Sequence, residues 1–486
     1  LIFRKAIILK LIKNQKLGNT VKFIAFIILL SIIILSVYNV LKWKDTTGDY
    51  CSSIEQLYNT DKDLIDVVFV GSSHVYCGVY PSILWEKSGI SAFDMSVSGQ
   101  DKYSAYHQIK ELLKTQSPKV IFVDIYGLFS DKHDSEGNLY RNLLSMKTSK
   151  NSIDLVNDYF EDNEGDKSNF FYRWPIIHTR YKELSRYDFR NNKLNSILRG
   201  ERIGFNTGSD ISPILQFDFD PAELSDKNIA WLNSLYDLSV KEGFKLVLMK
   251  TPINGGPFFQ SIMDAASQYA DSKNIDFIDF NRMADELGLD MGSDFIDGNH
   301  VNAYGAAKVT GYLNEYININ FSLADHRGDS RYHQWDEDLK YYNHEEFLNN
   351  LQYVNDLHDL HEALSSEAGA DFSAIISVEN TDTIINLSHA TCDKLSEFGM
   401  SYSEITTGGK WLYSGNTLTK LLDNDSSEGI KSIDLNEFDS LCVRFSGDGS
   451  VGNVLIGKDD YSNKDVYVNI VIYDNYLCET AMQKKY

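Results

Sequence analysis

The chain has 486 residues, 43% of them hydrophobic, which is too long for one ordinary core and too apolar for a disordered polymer. Its 69 acidic against 46 basic side chains give a formal net charge of -23. That argues against a nucleic-acid partner, because phosphate binding needs a basic face, and suits an exterior or saccharide-facing role.

The first predicted element is a membrane anchor. Residues 1–22 form a basic N-terminus carrying Arg4, Lys5, Lys10, Lys13, Lys16 and Lys22, and Phe23 to Leu41 then run 19 residues without a charge. At about 1.5 Å per residue such a run crosses the hydrocarbon core once. Only Lys42 and Lys44 follow closely, so the positive-inside rule places the N-terminus in the cytoplasm, the anchor in the cell membrane and the rest outside. Tyr38-Asn39-Val40-Leu41-Lys42 stands where a small-x-small cleavage site would be, which favours an uncleaved anchor over a removed leader.

From Asp45 to about Asn320 short apolar runs alternate with helical stretches. The runs are Val67–Val70, Ala92–Val97, Val120–Val123, Leu246–Met249 and Phe277–Phe280, and the helices fall at Tyr103–Leu113, Ile229–Val240 and Phe258–Ala270. This pattern predicts a doubly wound parallel α/β sheet with flavodoxin-like layering, its site at the carboxyl ends of the strands. The stretch from about 128 to 220 is too long for a loop and rich in aromatics, and predicts a helical insertion roofing the cleft. His178 and Arg180 within it are candidate contacts for an anionic or sugar substrate, weighed against ordinary helix-packing roles.

Residues 321–371 read as a polar, solvated connector with one helix around Phe347 to Leu364. His358 and His361 stand three apart there, but a polar helix face accounts for them better than a metal site. Residues 372–486 alternate with period two between glycine-rich turns and predict a β-rich α+β domain. Asp423-Asn424-Asp425 reads as a solvated turn, since Gly429 falls one position late for a calcium loop. Of the five cysteines (Cys51, Cys77, Cys392, Cys442, Cys478), all read as buried apolar residues, with a Cys442–Cys478 pairing left open. No metal and no cofactor is expected.

Two segments carry chemistry. Gly71-Ser72-Ser73-His74 follows an apolar strand, where the next helix can aim backbone N–H groups at an oxyanion. Asp297-Gly298-Asn299-His300 precedes a helix, and its three-residue step lets the carboxylate hold one ring nitrogen while the other faces the serine. Ser73 is favoured over its neighbour Ser72 as nucleophile, Ser72 being the turn residue that caps the helix. His300 is then the base and Asp297 its orienting acid.

These motifs resemble the SGNH (GDSL-like) hydrolase superfamily. Gly71-Ser72-Ser73 matches its Gly-Asp-Ser block with serine in place of aspartate, and Asp297 to Ala307 resembles its closing block. The resemblance implies an oxyanion hole from the backbone N–H groups of Ser73 and of Gly99 in Val97-Ser98-Gly99-Gln100. Its third block, Gly-x-Asn-Asp, is replaced here by Asp124-Ile125-Tyr126-Gly127, so a substitute donor is needed, with Gln100 and Asn254 as candidates. The simplified pattern is similar to membrane-anchored members such as the D-alanyl transfer protein of teichoic acid synthesis and the partners of membrane-bound O-acyltransferases. That implies transfer or hydrolysis of acetyl or alanyl groups on a cell-envelope glycan or teichoic-type polymer, with the bilayer and a membrane-bound O-acyltransferase as partners. The opening strand Ile375–Val378, the helix ending at Gly399 and the closing Asn469–Asp474 resemble the interleukin-like EMT inducer domain, which implies saccharide binding. A non-catalytic surface module that binds saccharide or a membrane partner is the alternative.

Overall fold

The computed structural model describes residues 2–42, 52–130, 135–144, 146–172, 177–184, 186–189, 198–208, 220–378, 387–423, 430–434, 440–444, 454–456, 459–462, 468–477 and 479–486. The chain divides into two units, Leu1–Tyr341 and Tyr342–Tyr486.

In the first unit the apolar runs become five strands, β1 (Val67–Val70), β2 (Ala92–Asp94), β3 (Val120–Asp124), β4 (Lys245–Lys250) and β5 (Asp276–Asp279). All pair in parallel, in the order β2-β1-β3-β4-β5. Alternate residues feed opposite faces: Val68, Val70, Ile121, Val123, Leu246 and Leu248 enter one core, and Val67, Phe69, Val120, Phe122, Val247 and Met249 the other. Both faces are covered by helices, which is why the strands read as continuous apolar runs and not as alternating ones. The order reverses between β1 and β3, and the crevice beyond their carboxyl ends is where such sheets place their sites.

The N-terminal helix runs Ile2–Leu41, and Thr20–Leu41 is long and apolar enough to cross a membrane. Within the insertion, helices Glu136–Leu144, Lys150–Asp162 and Ser168–Tyr172 share a core of Leu139, Leu143, Leu155, Val156, Tyr159 and Phe170 that packs on Ile54 and Val97.

The solvated connector needs correction. Tyr332 and Trp335 are 4% and 1% exposed inside the first core. Trp335 donates to the Ala92 carbonyl at the edge of the sheet, and Asp338 pairs with buried Arg199 at 3.2 Å. Helix Leu357–Ser365 likewise buries Leu357, Leu360 and Leu364 in the core of the second unit. Polar composition concealed both because few apolar side chains, widely spaced, do the packing.

Among its described residues the second unit holds two antiparallel sheets. β6 (Phe372–Val378), β7 (Gly409–Ser414), β8 (Thr417–Asp423), β13 (Val468–Asp474) and β14 (Glu479–Lys485) run in the order β14-β13-β6-β7-β8. β9 (Ile430–Asp434), β10 (Ser440–Arg444), β11 (Val454–Ile456) and β12 (Asp459–Asp460) form the other. Helices cover one face through Ile376, Ile470 and Ile472, while Val454 and Ile456 cover the opposite face at Ile375 and Val471. Cys77 and Cys392 are buried thiols. Cys51, Cys478, the side chain of Cys442, the turn at 424–429 and Gly447–Gly449 lie outside the described residues.

Candidate active site

Gly71 follows β1 directly and leaves no room for a side chain, since a Cβ there would lie 2.4 Å from Val75 Cγ2 and 2.8 Å from Asp124 Cβ. The chain therefore turns tightly into helix Ser73–Gly78, with Ser72 and His74 buried and Ser73 half-buried at the crevice. Ser72 occupies the N-cap position but makes no side-chain capping bond; its Oγ lies 2.8 Å from His74 Nδ1 instead.

The second segment is a turn built on its own aspartate. Ile296 N–H donates to the His300 carbonyl, closing the turn, and Asp297 Oδ1 accepts from the backbone N–H groups of Asn299 (2.8 Å) and His300 (2.9 Å). Asn302, fully buried, caps helix Ala303–Asn320 by accepting from Tyr304 and Gly305, and donates to the Ser293 carbonyl. With the turn fixed at both ends, the carboxylate meets His300 Nδ1 at 2.9 and 3.0 Å. Burial alone would raise the Asp297 carboxyl, but its hydrogen bonds from Asn299 and His300 outweigh that and hold it below the ordinary value.

His300 Nε2 lies 2.8 Å from Ser73 Oγ. An ionised carboxylate only accepts, so Nδ1 carries the ring hydrogen; the Nε2 of neutral His300 is then the acceptor for the Ser73 hydroxyl proton. The structure thus brings Ser73, His300 and Asp297 into one hydrogen-bonded line from opposite ends of the first unit's fold.

Two Ser–His pairs stand side by side here. The His74 ring stacks on His300 with centroids 5.1 Å apart and planes 11° from parallel, and its other neighbour is Tyr126 at 4.4 Å. Burial first, then the charges of Lys250 and His300, hold the His74 pKa well below the ordinary histidine value, so this ring is a neutral wall. Behind it Asp124, at the end of β3, is enclosed: its Oδ2 accepts from Lys250 Nζ (3.0 Å), Thr251 N (3.0 Å) and Thr251 Oγ1 (2.8 Å), and its Oδ1 from Tyr126 N (2.8 Å). Lys250 and Asp124 are both 0% exposed, and burial draws the Lys250 pKa down while Asp124 opposes it.

Gly99 adopts φ +65°, and a Cβ there would meet the Asn138 amide, 2.3 Å from its Nδ2. Asn138 Oδ1 accepts from Arg141 Nη1 at 2.7 Å, and Asn142 Nδ2 reaches the Gly99 carbonyl at 3.4 Å. The insertion's first helix therefore lays an asparagine amide against the Gly99 turn.

Other sequence candidates fall elsewhere. Gln100 is buried and its amide donates to the Met95 carbonyl and Gln108 Oε1, so it is spent inside the core. Asn254 lies beside the aspartate turn, its N–H donating to the Gly298 carbonyl at 2.8 Å. His178 is exposed, and Arg180 is corrected from substrate contact to structural cap: its guanidinium is taken up by the carbonyls that end the N-terminal helix and by Asp188. His358 bonds Glu397 at 2.8 Å and lies with Asp359 and Glu362 on an exposed face. Sequence reasoning missed His74 as a packing partner, although it adjoins the nucleophile, and Asn138, which no local motif marks.

No family model matches the chain, and no curated protein matches it. Among solved structures, a candidate acylhydrolase from Bacteroides fragilis aligns with 55% of this chain and 94% of its own at 13% identity and TM-score 0.29. A gut microbial diltiazem-metabolizing enzyme aligns with 52% of this chain and 48% of its own at 13% identity and TM-score 0.27. Neither likeness is close enough to carry a function to this chain.

Proposed function

We propose that the chain is an SGNH-type serine acyltransferase or ester hydrolase, held at the cell membrane by its N-terminal helix and acting outside the cell. The observation that carries this is the line Ser73 Oγ to His300 Nε2 at 2.8 Å, with Asp297 on the other ring nitrogen at 2.9 Å. That order meets the requirement for an activated hydroxyl.

In the first half-reaction Ser73 Oγ bonds to the acyl carbonyl carbon while its proton passes to His300 Nε2. The carbonyl oxygen becomes an oxyanion held by the Ser73 and Gly99 backbone N–H groups. Collapse expels the donor's alcohol, which takes the proton from His300, and leaves an ester on Ser73. In the second half-reaction water or a glycan hydroxyl gives its proton to His300 and attacks the ester carbonyl; collapse expels Ser73 Oγ, which takes that proton back from His300, and releases the carboxylic acid or the acylated glycan. Asp297 stabilises the imidazolium in both halves. Acetyl or alanyl groups on a cell-envelope glycan or teichoic-type polymer are the substrates we assign, supplied beside a membrane-bound O-acyltransferase, with the second unit binding saccharide.

The test is turnover of p-nitrophenyl acetate by the full chain in detergent, with and without a soluble glycan acceptor. Nitrophenol release that is lost in Ser73→Ala and in His300→Ala is expected, with acyl groups on the acceptor marking transfer and free acetate marking hydrolysis. Unchanged release in a folded Ser73→Ala protein would overturn the reading.

A further inference from the structure

The segment that holds Arg180 has a different task from the cleft. Arg180 Nη1 donates to the carbonyl oxygens of Lys42 (2.9 Å), Leu41 (3.3 Å) and Val40 (3.4 Å). These belong to the last turn of the N-terminal helix, whose carbonyls have no partners within the helix and carry its negative dipole end. Nη2 pairs with Asp188, and both side chains are withdrawn from water, at 9% and 1% exposure. Two short turns, His178–Lys182 and Arg186–Phe189, are thereby fastened to the point where the apolar helix ends.

The residues next to that latch face outward. Tyr181 and Phe189, each one position beyond a latch residue, are 62% and 69% exposed, and Lys182 is exposed beside them. The apolar span Thr20–Leu41 has 22 residues, which at about 1.5 Å each matches a hydrocarbon core of about 30 Å and puts Leu41 and Lys42 at its boundary. An exposed tyrosine, phenylalanine and lysine fastened at that boundary have the composition that favours the bilayer interface: amphipathic and aromatic rings at headgroup level and an ammonium that reaches anionic lipid.

We propose that the turns 178–182 and 186–189 are a membrane foot, whose Tyr181 and Phe189 insert into the interfacial layer of the leaflet in which the N-terminal helix ends. The proposal rests on the anchor part of the proposed function and is independent of the chemistry at Ser73. The foot fixes the height of the α/β domain above the lipid and makes the insertion a docking element for the bilayer.

The experiment uses the full chain in vesicles of phosphatidylcholine and phosphatidylglycerol, with a nitroxide attached through p-acetylphenylalanine so that the native cysteines stay untouched. Labels at Tyr181 and Phe189 are compared with labels at Ile28, in the apolar span, and at Ile319, an exposed site at 81% on the α/β domain. The readout is collision with oxygen against collision with a water-soluble nickel chelate. The oxygen-to-nickel ratio at 181 and 189 is expected to fall between the other two and several-fold above that at 319. In Arg180→Gln the ratio at 181 is expected to drop toward that at 319 while the value at 28 stays unchanged. Ratios at 181 and 189 equal to that at 319, with 28 still deep in lipid, would overturn the foot and leave the anchor standing. Labels shielded from both reagents would overturn it in favour of a protein partner on the same surface. A water-exposed label at 28 would remove the anchor and the foot together.

Discussion

His74→Phe separates the two imidazoles that stack at the site. The substitution keeps a flat ring between Tyr126 and His300 but removes the 2.8 Å contact with Ser72 Oγ, a buried hydroxyl. Losing that hydrogen bond inside the protein costs about 1–3 kcal/mol. His300 Nε2 remains 2.8 Å from Ser73, so kcat/KM for a small ester should stay within about tenfold of wild type. His74→Ala goes further: it empties an aromatic site that is 6% exposed, costing about 2–4 kcal/mol. His300 then loses the surface that holds its plane, and a displacement of about 1 Å lowers the rate about a hundredfold. The pH dependence has a definite sign. Burial, then Lys250 and His300, depress the folded-state pKa of His74, so the unfolded chain binds more protons once pH falls below about 6.5, and the fold loses stability there. The phenylalanine variant lacks that loss, and its stability deficit relative to wild type should shrink between about pH 7 and pH 5. Ester turnover and urea unfolding, each followed from pH 5 to 8, measure both effects. A folded His74→Phe protein as inactive as His300→Ala at every pH would refute the reasoning, because the proton would then pass through His74.

Three further outcomes are expected. Asn138→Ala removes the amide packed against the Gly99 turn and should lower kcat with little change in KM, because the Gly99 N–H we propose as an oxyanion donor acts on the transition state alone. Glu201 is buried with its Oε2 accepting from Ser82 N, and burial pushes its carboxyl up to about 7 against the Ser82 bonds that lower it. A carboxyl raised in the fold makes stability fall as pH rises toward 8, so Glu201→Gln, which keeps an acceptor, should stabilise the protein by about 3 kcal/mol at pH 8 and by almost nothing at pH 4.5 in urea titrations. Lys250→Met leaves the enclosed Asp124 carboxylate without its cation and should cost about 3–5 kcal/mol, most of it recovered in the double variant Asp124→Asn, Lys250→Met.

The parallel sheet was legible because its strands are buried on both faces, as in Val67–Val70 and Val120–Asp124, so every residue of these runs but the closing Asp124 is apolar. Ser73, Asp297 and His300 were legible for a related reason: each belongs to a short turn whose chemistry is written in neighbouring residues. Asn138 was not, because what gives it meaning is contact with Gly99 across the insertion, and nothing in Glu136-Gly137-Asn138 marks that contact. Arg180 invited a substrate reading as a cation in an aromatic segment; the carbonyls it caps lie about 140 positions earlier, at the end of a helix whose own sequence carries no sign of the contact. Tyr332 and Trp335 were hidden by the charged residues around them, since two large rings suffice to cover a sheet edge.

The central claim is that Ser73 is an activated nucleophile, and reaction of the full chain with a serine-directed fluorophosphonate, with the adduct located by mass spectrometry, tests it most directly. An adduct on Ser73 in wild type that is absent in Ser73→Ala and at least about a hundredfold slower in His300→Ala is the expected result. An adduct on Ser72, or no adduct on folded protein, would contradict the claim.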